Sequence, residues 1–401
     1  MQAVPVIALI DGEHHPSVVR DALAGLDLAG VVFCGGDEKL GPGSLEDHYG
    51  MPVETDPDDA LFRLAPDADA VVDLADEPIV PASAKLRIAA LALNLGLAFE
   101  APGARLDPPR YEAVPFSGPK LAVIGTGKRT GKTAVAGHWA ALLRDFAVDP
   151  VIVCMGRGGP AEPTVVDAAP TLDELIAIAE RGSHAASDFL EDAVIAGVRT
   201  VGCRRVGGGF AGEPFQSNVP AGAARAASLD PGAIIFEGSG ACIPPVEVDR
   251  TVCILGAGPP EPFAEYRLAR ADLVLAAERP ASGAAAAPAP GAVSFTLRPE
   301  PVEPIPEEAR VAVFTTGATA AEGVPEPVLV STDLARRSAL AAALDRAAAE
   351  RCDVYLTELK AAAIDTVAIR ARAEDARVVF IRNRPVGADD ALVKLYRDVA
   401  A

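Results

Sequence analysis

A lysine, a threonine and closely spaced glycines stand together in Gly125-Thr126-Gly127-Lys128-Arg129-Thr130-Gly131-Lys132-Thr133, a combination suited to holding a polyphosphate. Glycines let successive backbone N–H groups turn inward, and a helix that starts at the same point adds the positive end of its dipole. In such a loop Lys132 reaches the β- and γ-phosphates and the Thr133 hydroxyl holds Mg²⁺. The apolar run Leu121–Ile124 before it reads as a buried parallel strand, and the small-residue run through Trp139 as a helix. Strand, loop and helix in that order are the setting a P-loop requires. One departure stands out: Gly125 and Gly131 are five residues apart in the gap rather than four, and Thr126 occupies the place of the usual first glycine.

A P-loop needs a carboxylate at the end of a neighbouring strand to complete its Mg²⁺ site. Ile234-Ile235-Phe236-Glu237 supplies one, and Gly238 and Gly240 after it keep the backbone close to bound phosphates. A second acid is expected in the loop after the strand Val151–Cys154, with Glu162 and Asp167 the two candidates. Lys128 and Arg129 in the loop, Arg157 in a Gly-Arg-Gly-Gly-Pro turn, and Arg204 and Arg205 before a triple glycine all follow expected strands. Guanidinium groups match phosphate oxygens bidentately and keep their charge when partly desolvated. Converging on one sheet edge, these cations would suit a substrate with several negative charges besides ATP. An isolated arginine at a strand end is by contrast usually solvated. The Asn-Lys-x-Asp base-reading motif of GTPases is absent, which favours ATP, and Asn383 is a candidate contact to the adenine.

The elements that must position these groups form an α/β pattern. Strands at Val6–Ile10, Gly30–Cys34 and Ala70–Leu74 alternate with helices at Pro16–Leu26 and Ala82–Leu95, giving a small parallel N-terminal α/β domain over 1–115. Each strand ends in a polar turn, and ligands of open α/β sheets sit at such ends. Asp11, Glu13, His14, Gly36 and Lys39 are therefore candidate substrate contacts, unless these turns are ordinary solvated loops. The proline-bearing stretch 101–120 reads as a linker. A doubly wound P-loop NTPase domain is expected over 116–401, with a low-complexity linker near 280–306.

Composition bounds the setting. With 401 residues there is room for two or three cores, and a formal net charge of −20 argues against a nucleic-acid or anionic-membrane surface. The six cysteines form no Cys-x-x-Cys pair, no signal peptide or membrane-length apolar run is visible, and a cytoplasmic protein is expected.

The loop resembles in length and frame that of dethiobiotin synthetase, as Glu237-Gly-Ser-Gly240 resembles its Glu-Gly-Ala-Gly-Gly segment. Taken with the Gly156–Pro160 turn, Cys203-Arg-Arg-Val-Gly-Gly-Gly-Phe-Ala-Gly-Glu-Pro214, Ile10–His14 and Cys34–Leu40, the chain resembles the cyclic 2,3-diphosphoglycerate synthetase family across both halves. That resemblance implies ATP- and Mg²⁺-dependent closure of 2,3-diphosphoglycerate through an intramolecular phosphoanhydride. A homodimer is expected, because many P-loop proteins of this branch pair across the nucleotide site. A carboxylate- or carbamate-activating ligase and a P-loop switch or metallochaperone ATPase are the alternative readings.

Overall fold

The computed structural model describes residues 4–256, 263–278, 291–317, 322–360 and 362–400. The chain divides into two compact units, one of Met1–Arg110 with Phe210–Gly212 and Pro259–Arg270, the other of Tyr111–Gly209 with Glu213–Gly258 and Ala271–Ala401.

In the first unit, Val6–Ile10 lies between Leu28–Phe33 and Ala70–Asp73, and Ala98–Ala101 continues the parallel sheet. All five residues of Val6–Ile10 are buried, which is why the run is continuously apolar rather than alternating. Ala104–Leu106 then returns antiparallel to Ala98–Ala101 through Pro102 and Gly103. Gly103 takes φ 81°, the left-handed geometry that glycine adopts freely. The expected linker thus gives its first residues to this hairpin.

The second unit is built on one 13-stranded sheet. The P-loop strand Lys120–Gly125 runs parallel between Ala233–Glu237 and Arg250–Leu255. Pro150–Gly156 and Arg199–Val206 extend the sheet on one side, and Leu273–Ala277 and Val293–Pro301 on the other. Val293–Pro301 also pairs antiparallel with Arg377–Val386, which continues parallel to Val354–Glu358 and on to Val311–Phe314. Two parallel portions therefore meet at one antiparallel seam.

That seam corrects the expected linker near 280–306. Residues 279–290 lie outside the described residues, but Val293–Pro301 is a nine-residue strand inside the sheet. Its prolines obscure it in the sequence. Residues 293–295 pair with Leu273–Ala277, whereas 296–301 pair only with Arg377–Val386. Pro299 and Pro301 thus fall where the strand has a single neighbour, and a missing N–H there need not break a ladder. Arg377–Val386 is a ten-residue strand, so Asn383, the candidate adenine contact, lies within it.

The core under the P-loop gathers Val135, Trp139 and Leu143 with strand residues such as Leu121, Ile152 and Ile235. The fully buried Trp139 donates its indole N–H to the Leu392 carbonyl at 3.1 Å, tying the C-terminal helix Asp389–Ala400 to the P-loop helix Lys132–Asp145. All six cysteines are free thiols. Among the described residues no helix is long and apolar enough to cross a membrane.

Candidate active site

Between strand and helix the loop folds as the glycine spacing requires. A Cβ at Gly125 would stand 2.5 Å from Thr130 Oγ1 and 3.2 Å from the Ile254 carbonyl, so only glycine fits. Gly131 at φ 100° and Arg129 at φ 57° make the left-handed turns that lead into the helix. Thr126, in the position of the usual first glycine, accepts the Gly256 N–H at 2.8 Å and pins the loop to the next strand. Lys132 is buried, and its ammonium donates to the Gly127 carbonyl at 2.7 Å. Burial pulls its pKa below the usual lysine range, against the opposing field of Glu237.

Thr133 donates its hydroxyl to Glu237 Oε1 at 2.6 Å. Glu237 is 4% exposed, and its second carboxylate oxygen is buried with no partner. Parallel pairing sets Glu237 against Val123 on one side and Cys154 on the other. The helix Asp188–Ala196 closes over this point. Asp188, Glu191 and Asp192 are spaced to share one helical face, and Asp192 accepts the Cys154 thiol at 3.1 Å. Cys154, Asp192 and Glu237 each offer a ligand atom within 4.8 Å of the others. Burial raises every carboxyl in this group: Glu237 and Glu191 to about 7, Asp188 and Asp192 in the same direction. After burial, the nearest like charges add to the effect, with Asp188 acting on Glu237 and Glu237 on Asp192.

Glu162 and Asp167, the two acids expected near this point, lie apart from it. Both of those side chains are exposed and neither joins the buried cluster. The strand before them does carry a member of the cluster, Cys154, but the acids come from the helix Asp188–Ala196. Asp188, Glu191 and Asp192 in an otherwise apolar run, Asp188-Phe-Leu-Glu-Asp-Ala-Val-Ile-Ala196, were the available signal.

The cations divide. Arg157 and Arg205 converge on the turn after Glu237, since a Cβ at Gly240 would lie 2.5 Å from Arg157 Nη2 and 3.4 Å from Arg205 Nη2. Arg205 also donates to the Ser239 carbonyl at 2.8 Å and keeps a buried Nε–H without a partner. Arg204, next along an extended strand, is exposed, and its backbone N–H donates to Asn218 Oδ1 at 2.6 Å. Lys128 and Arg129 are exposed on the loop itself. Arg129, Gly131, Lys132 and Thr133 also line a cleft of ≈ 1420 Å³ whose lining includes Asn383 and Arg384 of the C-terminal part of the sheet.

Of the N-terminal candidates, Asp11 is fully buried and committed to its own loop. It accepts His14 Nδ1–H at 2.8 Å, the Glu13 N–H at 2.9 Å and the Asp76 N–H at 2.5 Å. Burial works against its charge, yet these donors hold its carboxyl below the usual range. Gly36 is packed against the same turn, and Lys39 pairs with Glu38. Glu13 and His14 remain partly accessible.

Family models described as the N-terminal, P-loop and C-terminal domains of cyclic 2,3-diphosphoglycerate synthetase match residues 5–107, 120–282 and 301–384. The cyclic 2,3-diphosphoglycerate synthetase of Rubrobacter xylanophilus is 43% identical, over 97% of this chain and 96% of its own. That of Thermococcus gammatolerans is 40% identical over 96% and 94%, and that of Methanothermobacter thermautotrophicus 34% identical over 96% and 93%. Chain-length similarity of this kind, together with a P-loop backed by a buried glutamate, places the protein in the cyclic 2,3-diphosphoglycerate synthetase family.

Proposed function

We propose that this chain uses ATP to close 2,3-diphosphoglycerate into its cyclic phosphoanhydride, releasing ADP and Pi. The observation that carries this reading is the Thr133–Glu237 contact beside Lys132, set in a chain similar to the named synthetases along nearly its whole length. An oxygen of one substrate phosphate attacks the γ-phosphorus of ATP, and the bond to ADP breaks. An oxygen of the second substrate phosphate then attacks the phosphorus of the first. The transferred group leaves as Pi, and the ring P–O–P bond remains. No side-chain nucleophile is needed, so catalysis is positioning and charge neutralisation.

Lys132 takes the β- and γ-phosphates once it exchanges its contact with the Gly127 carbonyl for them. Arg157 and Arg205, with Lys128, Arg129 and Arg204 as outer cations, hold the substrate phosphates near one another. Two unit charges at ~4–5 Å repel by roughly 3–4 kcal/mol at an effective dielectric near 20, so bringing them together requires clustered cations. Asn383 is assigned the nucleotide base on the strength of its place in the cleft wall. The N-terminal Glu13, His14 and Lys39 stay assigned to substrate, with Asp11 and Gly36 shaping their loop.

The donor set suits Mg²⁺. Thr133, Glu237 with its orphaned buried oxygen, and Asp192 are hard oxygen ligands, whereas burial keeps the Cys154 thiol protonated. When bound there, Mg²⁺ supplies neutralisation of charge developing on the phosphates. The division into an N-terminal domain over 1–115 and a P-loop domain over 116–401 belongs to the same reading. So do a homodimer, a cytoplasmic setting in keeping with six free thiols, and an acidic surface that takes neither nucleic acid nor membrane. ADP release that requires 2,3-diphosphoglycerate tests the proposal; ADP released equally without it favours a switch ATPase.

A further inference from the structure

The seam between the two parallel portions of the sheet carries an electrostatic mismatch. In its antiparallel ladder, Glu300 stands across from Arg382, and the two side chains are ion-paired at 2.6 Å. At the next same-face position, Arg298 stands across from Arg384. Like charges directly opposite each other in a ladder are destabilising. Arg298 escapes by pairing with Glu322 at 3.1 Å. Arg384 is exposed and has no acidic partner among the described residues.

Arg384 also lines the cleft that Lys132, Thr133 and Arg129 line from the P-loop side. The two parts are in contact, since Leu297, one residue before Arg298, would touch a Cβ at Gly131 at 3.2 Å. An arginine with no counter-ion among the described residues, set opposite another arginine and lining the same cleft as a phosphate-binding loop, is suited to an anion. Its planar fork matches a phosphate bidentately. Of the other arginines on that cleft, Arg336 and Arg382 are ion-paired with Asp333 and Glu300, whereas Arg129, in left-handed geometry on the loop, has no ion pair among the described residues.

We propose that Arg384, contributed by the C-terminal part of the sheet, is a phosphate-binding residue of the P-loop cleft. The inference rests on the reading that this cleft takes ATP and a bisphosphate. The phosphate belongs either to the nucleotide or to the bisphosphate, and the two sources separate experimentally.

Arg384→Gln and Arg384→Lys, with Arg298→Gln as the ladder control, are compared with wild type by thermal shift and by initial rates. Arg384→Gln is expected to leave the ligand-free Tm unchanged or raise it, because the like-charge pair is gone. The Tm rise given by ATP, or that given by 2,3-diphosphoglycerate, shrinks, and the KM for the same ligand rises roughly ten- to a hundredfold, the scale of one charge-assisted hydrogen bond. The ligand affected identifies the source of the phosphate. Arg384→Lys recovers part of the loss, and Arg298→Gln leaves both KM values within about twofold of wild type. Unchanged ligand-induced shifts and unchanged KM values for both ligands in Arg384→Gln overturn the proposal, whatever its ligand-free Tm. The thermal shifts need binding but not turnover. They therefore judge Arg384 even if the wild-type protein makes no cyclic product, an outcome that defeats the functional reading instead.

Discussion

The hydroxyl of Thr133 and the carboxylate of Glu237 meet at 2.6 Å, although 104 positions separate them in the chain. The parallel pairing of Ala233–Glu237 with Lys120–Gly125 brings the end of one strand beside the loop that follows the other. The contact uses one carboxylate oxygen and leaves the second buried and unpaired. Glu237→Gln keeps the shape and removes the charge. Turnover is expected to fall by roughly 10²–10³-fold, as for loss of one preorganised electrostatic group, with the Mg²⁺ concentration for half-maximal rate shifted upward. A magnesium titration of initial rates checks this, and an unchanged midpoint speaks against a metal role for Glu237.

Lys132→Met separates function from stability. Burial lowers the lysine pKa, so its charge is held at a cost to the ligand-free fold. Turnover should drop by roughly a thousandfold or more, while the ligand-free Tm stays level or rises. A variant that loses stability but keeps its rate would reverse both assignments.

The buried acids give the metal-free protein a definite pH response. Glu237 and Glu191 have folded pKa values near 7, against an ordinary 4.5, with burial the main cause. An acid raised in this way binds more protons in the folded state between those two values, so stability falls as pH climbs from about 4.5 to 7. Carboxylates held low, such as Asp11, titrate below this window. Chelator-treated protein is therefore expected to melt at a lower temperature at pH 8 than at pH 5.5. Glu237→Gln should flatten the slope, and a higher Tm at pH 8 would contradict the raised pKa values.

Gly240→Ala probes the arginine pair. At φ 62° a side chain costs about 1–2 kcal/mol, and its Cβ would force Arg157 to move. The obstruction is the flexible end of a side chain, so the fold survives. The expected result is a KM for 2,3-diphosphoglycerate raised roughly tenfold, with the KM for ATP within about threefold of wild type. A rise in the KM for ATP with that for 2,3-diphosphoglycerate unchanged would place Arg157 on the nucleotide instead.

Local signals carried the P-loop and Glu237 openly in the sequence. Gly125, Gly131 and Lys132 are fixed by backbone geometry and phosphate chemistry, and a strand as apolar as Ala233–Phe236 announces its own burial. Asp188, Glu191 and Asp192 were harder to find, because their role depends on which helix covers the strand ends, a tertiary fact. Val293–Pro301 was hidden by its prolines, which are tolerated only because half of the strand has one neighbour. Arg384 had no local signal for a different reason: only the strand register sets it opposite Arg298.

The most direct test is phosphorus NMR of the purified protein with ATP, Mg²⁺ and 2,3-diphosphoglycerate, beside a control lacking the bisphosphate. New phosphoanhydride resonances of a cyclic product, appearing with equimolar ADP and Pi and absent from the control, are the predicted result. ADP and Pi accumulating at the same rate in both samples, with the 2,3-diphosphoglycerate resonances unchanged, would contradict the account.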